Sequence, residues 1–393
     1  MSNRIGLLLA VICATAVSGV VSTVAAQNSG STPRWEVPRT PDGHPDLQGN
    51  WTNQTLTPLE RRGGGGPVYT PEQVAQIEQG SVNRFIAGER PSDPNRAAPR
   101  AGGSVGGYNN VYFELGHKVA VVNGEPRSSL ITFPSNGRIP AFTPEGERQI
   151  QESRDLKAQF NEFDHPELRP IAERCLVSYG SPAGPPMLPT TGYNSNYTIV
   201  QTADHVLIMT EMVHDARIIR IGDGPRLPEH VRPWFGDSWG RWEGDVLVVE
   251  TTNIYLRQEF SGNVGATLAG GQDPHPSEQM KVTERFSRVD DETVLYEFTV
   301  DDPTVYTETW GGQIPMVALH QNLYEYACQE GNYGLENILS GARYQERMEA
   351  EEASDSRRDC PHRSCPSHYS DPSDGYLIRV RVSVVDPAKR RLK

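Results

Sequence analysis

His214 and Asp215 stand side by side within residues 205–221, a stretch otherwise rich in strand-forming residues, with Glu211 before them and Arg217 after. An imidazole beside a carboxylate is the pairing that proton chemistry uses. Histidine exchanges protons near neutral pH, and a carboxylate (here Asp215 or Glu211) can orient the ring and balance its charge. On one continuous strand, alternation would put Glu211, Asp215 and Arg217 on one face and Met212 and His214 on the other. Charges on a strand built from Val206, Leu207, Ile208 and Met209 need a partner or water. Two readings follow. In one, His214 is an acid or base and Arg217 or Arg241 steadies an anion. In the other, Asp215 pairs with Arg217 at a strand end and His214 caps a loop.

Two further clusters could hold a small molecule. Glu284 shares a strand face with Val282 and Phe286, and Tyr296 and Phe298 share a face of the next run, so a carboxylate projects among aromatics or faces solvent. Residues 234–243 hold Trp234, Trp239 and Trp242, interleaved with Asp237, Arg241 and Glu243, and Trp310 lies further on. Aromatic walls with a few polar groups suit a largely apolar ligand or a sugar ring. The same composition equally suits a tryptophan-rich barrel end with Arg241 stacked on a ring.

Several chemistries have no signature here. There is no Gly-x-Ser-x-Gly elbow, phosphate loop, dinucleotide-binding glycine pattern or His-Glu-x-x-His, so the sequence calls for no cofactor. His44, His117, His165, His275 and His320 occur singly, without ligand spacing, and no metal is expected. Lysine and arginine number 37 against 50 aspartates and glutamates, for a net charge of −13, or near −14 without the leader. That balance argues against nucleic acid or an anionic membrane as a partner; the oligomeric state is not legible.

The elements that must position these residues come next. Arg4, an apolar run over residues 5–21 and the small residues before Gln27 read as a signal peptide over 1–26, so a periplasmic or secreted protein without a membrane span after the leader is expected. Residues 27–107 are rich in proline and glycine and read as a wrap or linker. Residues 108–343 form the main β domain, and 344–393 are a polar tail with a possible edge strand over 376–385. Strand runs fall at 118–122, 128–133, 197–202, 205–212, 216–221, 239–242, 246–252, 280–288, 293–301, 306–310 and 323–328. Helices are expected at 71–79, 146–163 and 336–352. Closely spaced strands joined by tight turns predict a mainly β fold, an antiparallel barrel or sandwich with a few peripheral helices. Cys175, Cys328, Cys360 and Cys365 remain after the leader. Two disulfides are expected, Cys175 with Cys328 and Cys360 with Cys365, although four cysteines allow three pairings and Cys360, His362, Cys365 and His368 are also zinc-ligand types.

Gly49-Asn50-Trp51 resembles the Gly-x-Trp signature of lipocalin-type calycin barrels, in which the tryptophan plugs the closed end. Residues 41–51, Gly137-Arg138-Ile139-Pro140, MVHDARI (212–218), WEGDVLVVETTN (242–253) and EYACQEGNYGLENILSGAR (325–343) are similar to an uncharacterised family of exported bacterial β-rich proteins. The resemblance covers the chain to Arg343. It implies an extracytoplasmic β domain and carries over no catalytic residue. Together these readings make two expectations. The first is an exported binding protein holding a small, largely apolar or carbohydrate-like molecule in a barrel lined by Trp234, Trp239, Arg241, Trp242, Glu284, Tyr296 and Trp310. The second is a cofactor-free hydratase, lyase, isomerase or hydrolase using His214 with Asp215 or Glu211.

Overall fold

The computed structural model describes residues 35–90, 95, 97, 114, 116–161, 163–178, 183–189, 192, 194–256 and 275–358. The leader, Cys360 and Cys365 with their neighbouring histidines, and the expected edge strand at 376–385 lie outside the described residues.

Nine strands close into a barrel: β1 (Gly49–Thr52), β5 (Asn196–Gln201), β6 (His205–Thr210), β7 (Ala216–Ile221), β8 (Asp237–Glu243), β9 (Val246–Thr252), β10 (Lys281–Arg288), β11 (Thr293–Asp301) and β12 (Trp310–Ala318). β1 pairs with β5 on one side and β12 on the other, so the strand that shuts the ring comes from the segment expected to be a wrap. β2 (Val121–Val122) and β3 (Glu125–Pro126) form a small ribbon around Asn123 and Gly124, both at positive φ as the Asn-Gly turn requires. β4 (Ile131–Phe133) adds to the outside of β12. The mainly β barrel expected from strand spacing is therefore present. Its pairs are antiparallel except β7–β8, which run parallel through Arg220–Trp239 and Ile221–Gly240.

The parallel step is pinned from outside. Residues 222–236 run back along β8, where the Arg220 guanidinium lies 4.2 Å over the Trp239 ring and pairs with Asp237. Asp237 also accepts the Leu227 N–H at 2.8 Å. A Cβ at Gly224 would overlap the Trp239 ring, so glycine is what lets this return segment lie flat on the indole.

Two sequence expectations are corrected. Residues 306–310 and 323–328 are not strands; the strand is β12, whose Gly311, Gly312 and Pro315 hide its character. A Cβ at Gly311 would sit 2.4 Å from the Phe133 ring of β4, and one at Gly312 2.3 Å from the carbonyl oxygen of Leu130 just before it, so these glycines admit β4 against β12. The Gln313 N–H donates to Leu130 across that same edge, and alternation points Pro315 the same way. Pro315 falls between the β4 contacts at Gly311–Gly312 and the β1 contacts at Val317–Ala318, a stretch where a missing N–H breaks no ladder bond.

Alternation fills the barrel. Val282, Glu284 and Phe286 of β10, Val294, Tyr296, Phe298 and Val300 of β11, and Ile314 and Met316 of β12 all point inward and are buried. Trp51 of β1 is buried. Its indole N–H donates to the Leu47 carbonyl, and the Arg288 guanidinium, 4.9 Å over the ring, donates to the carbonyls of Asp46, Asp290 and Asp291.

Helix α1 (Pro71–Gly88) starts at a reciprocal cap: Thr70 Oγ1 accepts the Gln73 N–H, and Gln73 Oε1 accepts the Thr70 N–H. It continues well past the residue 79 expected from sequence. Helix α2 (Pro144–Lys157) begins where Thr143 Oγ1 accepts the Gly146 N–H. Helix α3 (Tyr333–Arg358) belongs with residues 163–166 to a second compact unit, within which Arg343 donates to the Phe163 carbonyl.

One interaction crosses the lumen. Arg217 of β7 and Glu284 of β10 meet through two hydrogen bonds of 2.8 and 2.9 Å, both side chains essentially without solvent exposure. The Tyr296 hydroxyl donates to the same carboxylate at 2.9 Å and accepts the Met187 N–H at 2.8 Å. Burial opposes the Arg217 charge, but the attraction and hydrogen bonds of Glu284, helped by the neighbouring tyrosines, hold its pKa above the ordinary value. Burial, then the Glu284 charge, pushes the Tyr296 phenol well up, so it stays a donor. Removing one member of such a pair strands the other charge in an apolar interior. Arg217→Met should cost about 3–5 kcal/mol by urea unfolding, and adding Glu284→Leu should restore most of it; equal losses in the single and double variants would contradict the pairing.

Candidate functional site

Parity along 205–221 fails because the strand is interrupted. β6 ends at Thr210, residues Met212–His214 form one 3-10 turn, and β7 begins at Ala216. Val213 and His214 both have positive φ, 60° and 45°, and for a β-branched valine that backbone is strained by about 1–2 kcal/mol. The turn is held by Thr210, whose N–H donates to the Asp215 carbonyl, and by the Glu211 N–H, which donates to the Asn196 carbonyl. Val213 faces inward and His214 is left exposed.

The four residues singled out here are therefore dispersed. Arg217 is committed to Glu284 inside the barrel. Glu211 is buried, accepting from the Asn196 amide and from the Tyr324 N–H. Asp215 turns the other way and accepts the Ser178 N–H at 3.0 Å, so the expected Asp215–Arg217 pair does not form. His214 and Asp215 do stay together, on the wall of a cleft of about 260 Å³.

The opposite wall is unexpected. It consists of Cys175, Leu176, Cys328, Gln329 and Glu330, joined by the Cys175–Cys328 disulfide that the cysteine count led us to expect. The bridge spans 153 residues, a loop length worth about 5 kcal/mol through restriction of the unfolded chain. The Gln329 side chain donates to the Cys175 carbonyl at 3.1 Å, so both arms of the cleft are cross-tied. Cys175 itself has φ 55°. Ser178, three residues on, carries no sequence signal for its role. Only the even number of cysteines pointed to this region, and it pointed to a staple.

Burial pushes the Asp215 carboxyl from an ordinary 3.8 up to about 6, against the lowering pull of the Ser178 N–H and hydroxyl and of His214. A carboxylic acid that keeps its proton to that pH can donate as well as accept.

The expected ligand wall does not assemble. Trp242 faces inward and stacks on His44, ring centres 4.8 Å apart, while Trp239 lies on the outer face of β8 beneath Arg220. Arg241 is exposed and paired with Glu243, and Trp234 packs on Tyr255. Glu284, Tyr296 and Trp310 are core, with Trp310 edge-on to Phe298 and Tyr306. The lumen these residues were to line is filled by their own side chains. Among the described residues, no three His, Cys, Asp or Glu side chains are grouped to hold a metal, and no helix is long and apolar enough to cross a membrane. No family model, curated protein or solved structure matches the chain.

Because Asp215 binds its proton more tightly folded than unfolded, its contribution to stability falls as pH rises from about 4 through about 6. Asp215→Asn removes this dependence. The wild-type minus variant difference in unfolding free energy should therefore drop by on the order of 2 kcal/mol across that window. Urea titrations at pH 4, 5, 6 and 7 measure it, and a difference that stays flat would mean the carboxyl is not desolvated.

Proposed function

We propose that the protein is an exported acid–base enzyme whose site is the cleft holding His214 and Asp215. The observation that carries this reading is the pairing, in one small cleft, of an exposed imidazole with a carboxyl kept protonated to about pH 6. Two adjacent groups with different surroundings can divide acid and base work, which is how proton transfer to a bound molecule is arranged near neutral pH. In the reading proposed, His214 takes a proton from the substrate or from water, and Asp215 gives one to the leaving or developing oxygen. Ser178 fixes the carboxyl by its N–H and hydroxyl.

Three features support the assignment. The backbone at Val213 and His214 departs from the favoured regions where the pair is presented, and strain of this kind concentrates at working sites. The cleft volume fits a small substrate, and the filled lumen leaves the rim as the place for chemistry. The disulfide and the leader-like first 26 residues favour an oxidising compartment. The reaction class is addition or elimination of water, isomerisation or hydrolysis.

The test is a screen of small esters, epoxides and unsaturated acids between pH 5 and 8. For any substrate turned over, kcat/KM should fall at least about 100-fold in both His214→Ala and Asp215→Asn, with circular dichroism unchanged. Turnover indifferent to both substitutions would remove the cleft from the chemistry.

A further inference from the structure

The cleft contains a second reactive group that the acid–base reading leaves unused. Both sulfurs of the Cys175–Cys328 bridge belong to residues of its wall, facing the segment that carries His214 and Asp215. Cys175 is 3% exposed, whereas Cys328 is half-buried, so an attacking group from solvent reaches Cys328 first. The chain around Cys328 makes no strand pairing. Besides the disulfide, its fastenings include the Tyr324 N–H to Glu211 and the Gln329 side chain to the Cys175 carbonyl. The Asp215 carboxyl accepts the N–H of Ser178, three residues from Cys175, and lines the same cleft as the bridge.

We infer that the Cys175–Cys328 disulfide is the electron acceptor of a thiol–disulfide exchange site, with small neutral or cationic dithiols as substrates. This goes beyond the acid–base reading and shares with it only the cleft and the Asp215 carboxyl. The substrate enters as a thiolate, its first proton lost to solvent, and attacks Cys328 Sγ in line with the bridge. The Cys175–Cys328 bond breaks, a mixed disulfide forms on Cys328, and the electron pair passes to Cys175 Sγ, which takes the proton from the Asp215 carboxyl. The substrate's second thiol then gives its proton to the Asp215 carboxylate and attacks its own sulfur in the mixed disulfide. Cys328 leaves and takes a proton from solvent. Two electrons and two protons have moved from the dithiol, now a disulfide, to two cysteine thiols.

The substrate's charge follows from the wall. Its ionisable side chains besides the cysteines are His214, Asp215 and Glu330, with no lysine or arginine among the lining residues, on a chain of net charge −13. Anionic thiols are repelled from such a surface.

The experiment uses the full oxidised protein without denaturant. Its reduction by dithiothreitol is followed by alkylation and peptide mass spectrometry, with the global unfolding rate measured separately. The expected result is a rate first order in dithiothreitol, exceeding the unfolding rate, and reduced at least 10-fold in Asp215→Asn. With monothiols compared at equal thiolate concentration, cysteamine should outpace 3-mercaptopropionate several-fold, and the trapped adduct should sit on the Cys328 peptide. A rate that saturates at the unfolding rate, an adduct on Cys175, or indifference to Asp215→Asn would overturn exchange and leave a structural staple. If exchange fails while His214→Ala and Asp215→Asn still abolish turnover of a screened substrate, the acid–base reading survives it. If exchange succeeds and the screen yields only turnover indifferent to both substitutions, that reading falls alone.

Discussion

A guanidinium and a carboxylate buried in the interior of a barrel are tolerated only where they meet. Arg217 and Glu284 come from β7 and β10, which are separated around the ring by β8 and β9, so their contact spans the lumen. Desolvating both charges is tolerated because each guanidinium N–H used reaches a carboxylate oxygen and Tyr296 adds a third bond. The Tyr296 ring that supplies the third bond is itself packed against Phe286 and Phe298. A lumen braced in this way is a core. At the rim, a hairpin turn and a disulfide-tied arm face each other across a cleft.

The rim turn is strained where the chain passes from β6 into β7. Two successive residues at positive φ, Val213 and His214, turn it just before Asp215, which accepts the Ser178 N–H, and Arg217, which enters the core. The cost is local and is offset by the buried Met212 and Val213 side chains and by Thr210, which ties the base of the turn.

Legibility in the sequence followed the physics of each element. The hairpin of β10 and β11 could be read to within one residue because alternation and a tight turn act locally, and so could the face that Glu284 shares with Val282 and Phe286, though not that this face points inward. β12 could not, since its glycines and proline answer to the close approach of β4 and to a gap in edge pairing, both set by distant residues. The partner of Glu284 was equally out of reach, because it depends on the closure of the ring. His214 and Asp215 were legible as a pair, but not their separation from Arg217, because the partners that divide them, Ser178 and Glu284, are distant in sequence. The tryptophans misled for a simpler reason. Composition records how many rings there are and says nothing about which face of β8 each one takes.

The closing strand has a consequence for the order of events in assembly. Trp51 of β1 is hydrogen-bonded in register with Ala318 of β12, two segments near opposite ends of the barrel sequence. Pairings of such long sequence separation form late and slowly, since the loop between them must be collapsed first. A chain emerging from its amino end presents β1 long before β12 exists. During that interval Trp51 and the unpaired edge of β1 have no partner and are open to association with other chains. A protein built this way carries one edge of its first strand unpaired until its last strand has been made.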